Sequence, residues 1–350
     1  MRAAVIRVAV LFLMLASQAT AQSTVRFGVL GLFRPGELEL SPAGNGALRV
    51  EGLIRPLVLN GETGKRRLIL RASGDHILVP DAPAVQLRIA SRDGSPARFQ
   101  LAVPGKLRRV YEGVLTVTAS HGELIAVVSM DFETAVGTIV ASEMPVDAPI
   151  EALKAQAVAT RSFLRVGPRH SAFDFCDTTH CQYLRSPDEI TQRVRTAVKA
   201  TRGQVLSWRS LVIPALYASR CGGQTRTLRD AGMDPGSAYP YYSVACAWCR
   251  QHPAHWQTSL PSGVKSPVPG NELSRIQHAR QWGWGALPGS VFTVEQNAAG
   301  TLISGQNVGH GIGLCQFGAI GMASEGADFR SILAHYYPNT ELTQILPDRN

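Results

Sequence analysis

Residues Val140 to Ser162 set an acidic side chain, a proline-rich corner and an alanine-rich run side by side. The apolar run up to Glu143 reads as a strand end, entered through a short helix, and Met144-Pro145 and Ala148-Pro149 form the corner. Pro149 suits a first helical turn, where the N–H it lacks would be unpaired anyway, and Asp147 or Ala148 is the expected N-cap. Beyond it, Ile150, Leu153, Ala157 and Leu164 fall on one helical face, and Lys154, Arg161 and Arg165 on another. The spacing predicts a helix that buries one side and offers cations on the other. Glu143 stands just before it among Val140, Met144 and Pro145, surroundings that raise a carboxyl pKa and let it hold a proton near neutrality. The plainer reading of Glu143 is a helix-entry or surface carboxylate.

This stretch resembles the signature of the SpoIID/LytB family of cell-wall proteins in its Glu143-Met-Pro and Glu151-Ala-Leu-Lys154-Ala-Gln156-Ala-Val-Ala-Thr-Arg161 runs. A second block, Gly309-His310-Gly311-Ile-Gly313-Leu-Cys315-Gln316-Phe-Gly318, is similar to the family's glycine-rich motif. The run Ile332-Leu-Ala-His-Tyr336-Tyr337-Pro338-Asn-Thr-Glu-Leu resembles its closing motif. The blocks occur in order over roughly residues 107 to 345.

The resemblance implies an α+β fold, with a mixed catalytic domain over residues 107–345. Before it, residues 22–106 read as a β-rich module of short alternating strands separated by turns such as Asn60-Gly61 and Asp93-Gly94. Further on, the patterns predict a hairpin around Gly122, a helix from Thr191 and strands at Val205–Trp208 and Ile213–Ser219. Irregular chain is expected over about 230 to 270, then a helix at Leu273–Trp282, a strand from Val291 and a closing helix at Phe329–Tyr337.

Cleaving a glycosidic bond usually takes two carboxyl groups. A lytic transglycosylase manages with one, because the 6-hydroxyl of the muramic acid ring is the nucleophile and the acid that protonated the leaving sugar becomes the base. The resemblance implies that Glu143 is this acid/base, cutting between N-acetylmuramic acid and N-acetylglucosamine to leave 1,6-anhydro ends. It marks Lys154, Gln156, Arg161, Tyr217, Ser219, Gly222, Gly223, His310, Gly311 and Gln316 as substrate-binding. The LytB side of the family name supplies the rival, a non-catalytic wall-binding enhancer of a cell-wall amidase. His310 reads equally as a structural hydrogen bond that holds its loop.

Six cysteines, Cys176, Cys181, Cys221, Cys246, Cys249 and Cys315, allow disulfides in an exported chain. The run from His170 to Gln182 is also dense in soft metal ligands, and it resembles a family loop in which some members bind zinc through two cysteines and a histidine. Carried over, the ligands are Cys176, Cys181 and either His170 or His180; on an extended chain, adjacent His180 and Cys181 point apart. No cofactor is required by the acid/base scheme, so such a zinc would be structural. Cys246-Ala-Trp-Cys249 reads as a local disulfide or a distant contribution to zinc, because the βαβ context of a redox pair is lacking. A Cys315 nucleophile paired with His310 is a third chemistry, without an acyl-transfer context to support it.

Basic Arg2 and Arg7, the apolar run Val8–Ala16 and small Ala19-Thr20-Ala21 predict a signal peptide over residues 1–21. The expectation is a secreted or periplasmic protein without a stable transmembrane anchor, since the apolar run is short for a bilayer span. The formal charge of +9 falls by two when Arg2 and Arg7 are removed. A basic exported chain suits peptidoglycan glycan strands or another anionic polymer. Nucleic acid is disfavoured by export and by the lack of a basic-aromatic motif.

Overall fold

The computed structural model describes residues 24–60, 66–80, 82–92, 96–178, 180–233, 239–260, 264, 266–297 and 300–345. The expected signal segment, residues 1–21, lies outside them. The N-terminal strands are β1 (Thr24–Val29), β2 (Glu37–Pro42), β3 (Leu48–Glu51), β4 (Leu57–Leu59) and β5 (Leu68–Ser73). They are followed by β6 (His76–Leu78), β7 (Gln86–Ser91), β8 (Ala97–Val103), β9 (Leu107–Ser120) and β10 (Glu123–Asp131). All join one curled sheet in which β9 is the shared strand. Its first half pairs with β8, from Val103↔Leu107 to Ala97↔Gly113, and its second half with β7 and β10. Hydrogen bonding therefore runs across residues 106 and 107. Alternation in β10 sends Leu124, Ala126, Val128 and Met130 into the core.

The chain leaves β10 directly into α1 (Phe132–Glu143), where Asp131 caps the helix by accepting from Thr134 N–H at 2.8 Å. Glu143 is thus the last residue of a helix, not the end of a strand. After the corner comes α2 (Ile150–Arg165), whose N-cap is Pro149, one residue beyond the expected position and without a side-chain cap. Then follow β11 (Phe175–Cys176), which pairs parallel with β1, α3 (Gln192–Ala200), β12 (Gln204–Trp208), β13 (Leu211–Val212) and β14 (Tyr217–Ala218). The remaining elements are α4 (Ala247–Gln251), β15 (Trp256–Leu260), α5 (Glu272–Trp282), β16 (Phe292–Asn297), β17 (Gly300–Gly305) and β18 (Leu314–Cys315). α6 (Gln316–Ser324), α7 (Phe329–Tyr336) and β19 (Glu341–Gln344) complete the α+β arrangement.

α2 is the hub of the helical layer, with α1, α3, α6, α7 and β12 packed around it. Its alanines let those neighbours approach closely, and every residue from Ala152 to Leu164 except Lys154 is buried. The expected cation-bearing face is therefore not a free one. Arg161 has no exposed surface; it makes a two-pronged bond to Glu133 and donates to the Gln204 carbonyl at 3.1 Å. Lys154 pairs with Glu151 at 2.6 Å, and Arg165 stacks over the Phe132 ring. Helical spacing alone could not reveal this, because alanine is compatible with either a buried or an exposed face.

α3, β12, α5, β16 and α7 lie where the sequence patterns place them. The strand expected over Ile213–Ser219 is reduced to the two residues of β14, and the stretch expected to be irregular contains α4 and β15. Among the described residues, no helix is long and apolar enough to cross a membrane.

Candidate active site

Glu143 ends α1 at the negative pole of the helix, where a carboxylate is electrostatically disfavoured. Val140 and Met144 beside it are buried. Burial pushes the Glu143 carboxyl above its ordinary value of 4.5, offset in part by the Gln316 amide, the Tyr183 backbone N–H and the positive charge of Arg185. Gln316 is the first residue of α6 and is itself buried. Its Nε2 donates to Glu143 Oε2 and to Gln156 Oε1, both at 3.3 Å, so one amide joins α1, α2 and α6. Gln156 in turn donates to Thr160 Oγ1 at 3.2 Å.

Tyr217, on β14, completes the cluster. Its hydroxyl donates to Gln182 Oε1. Burial first, and then the charge of Glu143, hold the phenol well above its ordinary range, so it remains a neutral donor. β14 pairs parallel with β18, which fixes Tyr217 against Leu314, two residues before Gln316. Gly309, Gly311 and Gly313 all have left-handed φ, at 87°, 75° and 68°. At Gly313 even a methyl group would collide with the Leu216 carbonyl, so only glycine lets the loop press against this strand.

His310 serves that loop. Its Nδ1 accepts from Ile312 N–H at 3.0 Å, and the ring also bonds the Tyr217 backbone. Burial pulls its pKa down to about 4, which keeps it neutral at pH 7. Cys315 Sγ faces Cys249 Sγ, the backbone N–H groups of Cys221 and Gly318, and the Ser219 carbonyl. Its partners do not include His310, so the nucleophile pair is not assembled.

A second group lies just upstream of Tyr183. His170, Cys176, His180 and Cys181 each direct a ligand atom to one point, all within 4.8 Å of one another. His170 Nε2 is 3.2 Å from Cys181 Sγ, and His180 Nδ1 is 3.3 Å from Cys181 Sγ and 3.7 Å from Cys176 Sγ. The chain turns here, with Cys181 N–H bonded to the Thr178 carbonyl at 3.0 Å, so adjacent His180 and Cys181 converge where an extended chain would separate them. Two thiolates and two imidazoles are the donor set of a closed tetrahedral zinc site.

The family model described as SpoIID, Stage II sporulation protein, matches residues 120–208, a span that holds both Glu143 and this Cys/His group. A Stage II sporulation protein D of Bacillus amyloliquefaciens is 27% identical over 65% of this chain and 77% of its own. The Bacillus subtilis protein of the same name is 26% identical over 59% of this chain and 72% of its own. These matches bear out the resemblance to the SpoIID/LytB family. The Amidase enhancer of Bacillus subtilis is a more distant relative, 23% identical over 59% of this chain and 40% of its own.

Of the residues that the SpoIID/LytB resemblance marks, Glu143, Gln156, Tyr217 and Gln316 come together. Lys154 and Arg161 are engaged by Glu151 and Glu133 instead. Ser219 is exposed and fixes the loop through its carbonyl, which accepts from Phe317 N–H at 3.0 Å. Gly222 borders a separate cavity of about 590 Å³ with Trp256 and Phe292, and the Gly223 carbonyl accepts from Cys246 N–H at 2.9 Å. The Gly311 carbonyl accepts from Arg226 N–H at 2.9 Å. Two neighbours of Glu143, Tyr183 and Arg185, fall outside the residues that the sequence motifs mark, and Gln182, which bonds Tyr217, closes the His170–Gln182 run without a site role assigned to it. Their signal in the sequence is nearness to Cys181, since a clamp on that cysteine fixes whatever follows it.

Proposed function

We propose that the chain is an exported peptidoglycan lytic transglycosylase in which Glu143 is the single acid/base. The observation that carries this reading is a carboxyl whose burial at a helix C-terminus favours the protonated form and whose orientation is set by the Gln316 amide. Among the described residues, the groups acting on it are an amide, a backbone N–H, a guanidinium and the nearby Tyr217 phenol, with no second carboxyl among them. That surrounding suits a reaction whose nucleophile is supplied by the substrate.

Protonated Glu143 gives its proton to the glycosidic oxygen as the bond from the muramic acid C1 to that oxygen breaks. The same carboxylate then takes the proton of the 6-hydroxyl as O6 bonds to C1, which restores the acid and leaves a 1,6-anhydro ring. No water and no second base are consumed. Gln316 and Tyr217 hold the site's polar groups in place, and neutral His310 shapes the loop. The Cys/His group of His170, Cys176, His180 and Cys181 would hold a structural zinc that fixes Gln182 and Tyr183 beside Glu143.

The distant likeness to an amidase enhancer supports a second reading, in which the chain binds glycan strands and assists a cell-wall amidase. Incubating purified glycan strands with this chain alone separates the two. New strand ends without any amidase present support the transglycosylase; binding without new ends supports the enhancer.

A further inference from the structure

Cys221, the Cys246/Cys249 pair and Cys315 come from three separate stretches of the sequence and meet at one point. Their sulfurs all lie within 4.8 Å of one another, and each cysteine is 2–5% exposed. From this convergence we infer that the four cysteines form a second metal site, an all-thiolate centre for a single zinc-class ion. A zinc–sulfur bond of about 2.3 Å places tetrahedral sulfurs about 3.8 Å apart, in keeping with this spacing. Two disulfides require only pairwise approach, whereas here all four sulfurs are mutual neighbours. Iron–sulfur clusters spread their ligands over several irons and need a wider cage.

The surroundings fit thiolates. The backbone N–H groups of Cys221 and Gly318 both point at Cys315 Sγ, each at 3.4 Å, and the N-terminus of α6 opens on the same sulfur. The Tyr336 hydroxyl is 3.4 Å from Cys246 Sγ and can donate to it. Such outer donors are what metal-bound sulfur accepts. Space is reserved as well: a methyl group at Gly318 would overlap both Cys246 Sγ and the Tyr336 hydroxyl. Cys246-Ala-Trp-Cys249 supplies a compact pair at the start of α4, while Cys221 and Cys315 tie it to β14 and β18.

The position gives the ion a role. Cys315 immediately precedes Gln316, the side chain that bonds Glu143. The ion would lock the start of α6, and it acts by positioning, without touching the reacting atoms. This assignment stands whether or not Glu143 acts as an acid.

The test uses the full chain with Cys176→Ser/Cys181→Ser, which dismantles the first Cys/His group. About one equivalent of zinc should remain by elemental analysis, and cobalt should give intense thiolate-to-metal absorption at about one equivalent. Peptide mapping should find Cys221, Cys246, Cys249 and Cys315 shielded from alkylation until a chelator is added. If that variant fails to fold, the wild type should hold about two equivalents, and chelator-dependent alkylation maps them separately. Four cysteines joined in disulfides, or reduced and reactive with no metal bound to them, would overturn the assignment.

Discussion

Gln316 Nε2 lies 3.3 Å from Glu143 Oε2, a hydrogen bond between residues 173 positions apart that ties the glycine-rich loop to the end of α1. The amide lowers the carboxyl pKa that burial raises. Gln316→Ala removes that restraint, so the carboxyl should rise further and the alkaline limb of the rate profile should move to higher pH. The rate on glycan strands should fall about 10- to 100-fold, the loss of one oriented hydrogen bond to a charged group. A pH–rate profile that superimposes on the wild type would remove Gln316 from the site.

Stability should report the same carboxyl without any substrate. Above 4.5 the unfolded chain has lost the Glu143 proton, while the folded chain retains it up to its raised pKa. Folding therefore weakens as pH rises through that window, and the loss persists above it. Glu143→Gln, with no proton to release, should melt higher than the wild type at neutral pH and close to it near pH 4. His310 works in the opposite sense: with its pKa lowered from 6.5 to about 4, stability rises with pH between those values. Both proteins share that contribution, so the difference in their melting temperatures isolates Glu143. Equal melting temperatures across the range would count against a raised carboxyl pKa.

The Arg161–Glu133 pair should behave as internal scaffolding. Arg161→Met leaves Glu133 without its two-pronged partner and the Gln204 carbonyl without a donor. Denaturant unfolding should show a loss of about 3 kcal/mol, and adding Glu133→Leu should recover a good part of it. A variant of full stability but weakened glycan binding would instead return Arg161 to the substrate.

Backbone geometry at the loop can be checked with one methyl group. Gly313→Ala should cost about 2 kcal/mol or more, because it meets the Leu216 carbonyl at a left-handed φ. Gly46→Ala, where nothing lies within 4 Å and φ is outside the left-handed region, should stay within about 0.5 kcal/mol. Similar unfolding midpoints for the two would show that the loop yields easily.

Glu143 and Gln316 are legible in the sequence because they sit in recognisable blocks, and the helices of strong period are legible from their apolar spacing. The element holding Glu143 is not: Val140 and its neighbours are β-branched and alanine residues that read as a strand end, yet Asp131 caps them into a helix. Arg161 reads as an offered cation because a sequence does not show that Glu133, in another helix, awaits it. The convergence of four cysteines from Cys221 to Cys315 depends on β14 pairing with β18, a contact between segments far apart in the chain that no local pattern encodes. Adjacent His180 and Cys181 mislead for a related reason, since a turn, not an extended chain, carries them.

The most direct measurement is a paired digestion of purified glycan strands, intact and stripped of stem peptides, by the wild type and by Glu143→Gln, with the ends read by mass spectrometry. The wild type should yield 1,6-anhydromuramyl ends, and the variant should lose them, by about a thousandfold or more in rate. Equal product from both proteins, or none from the wild type on either substrate, would rule out Glu143 as the acid/base.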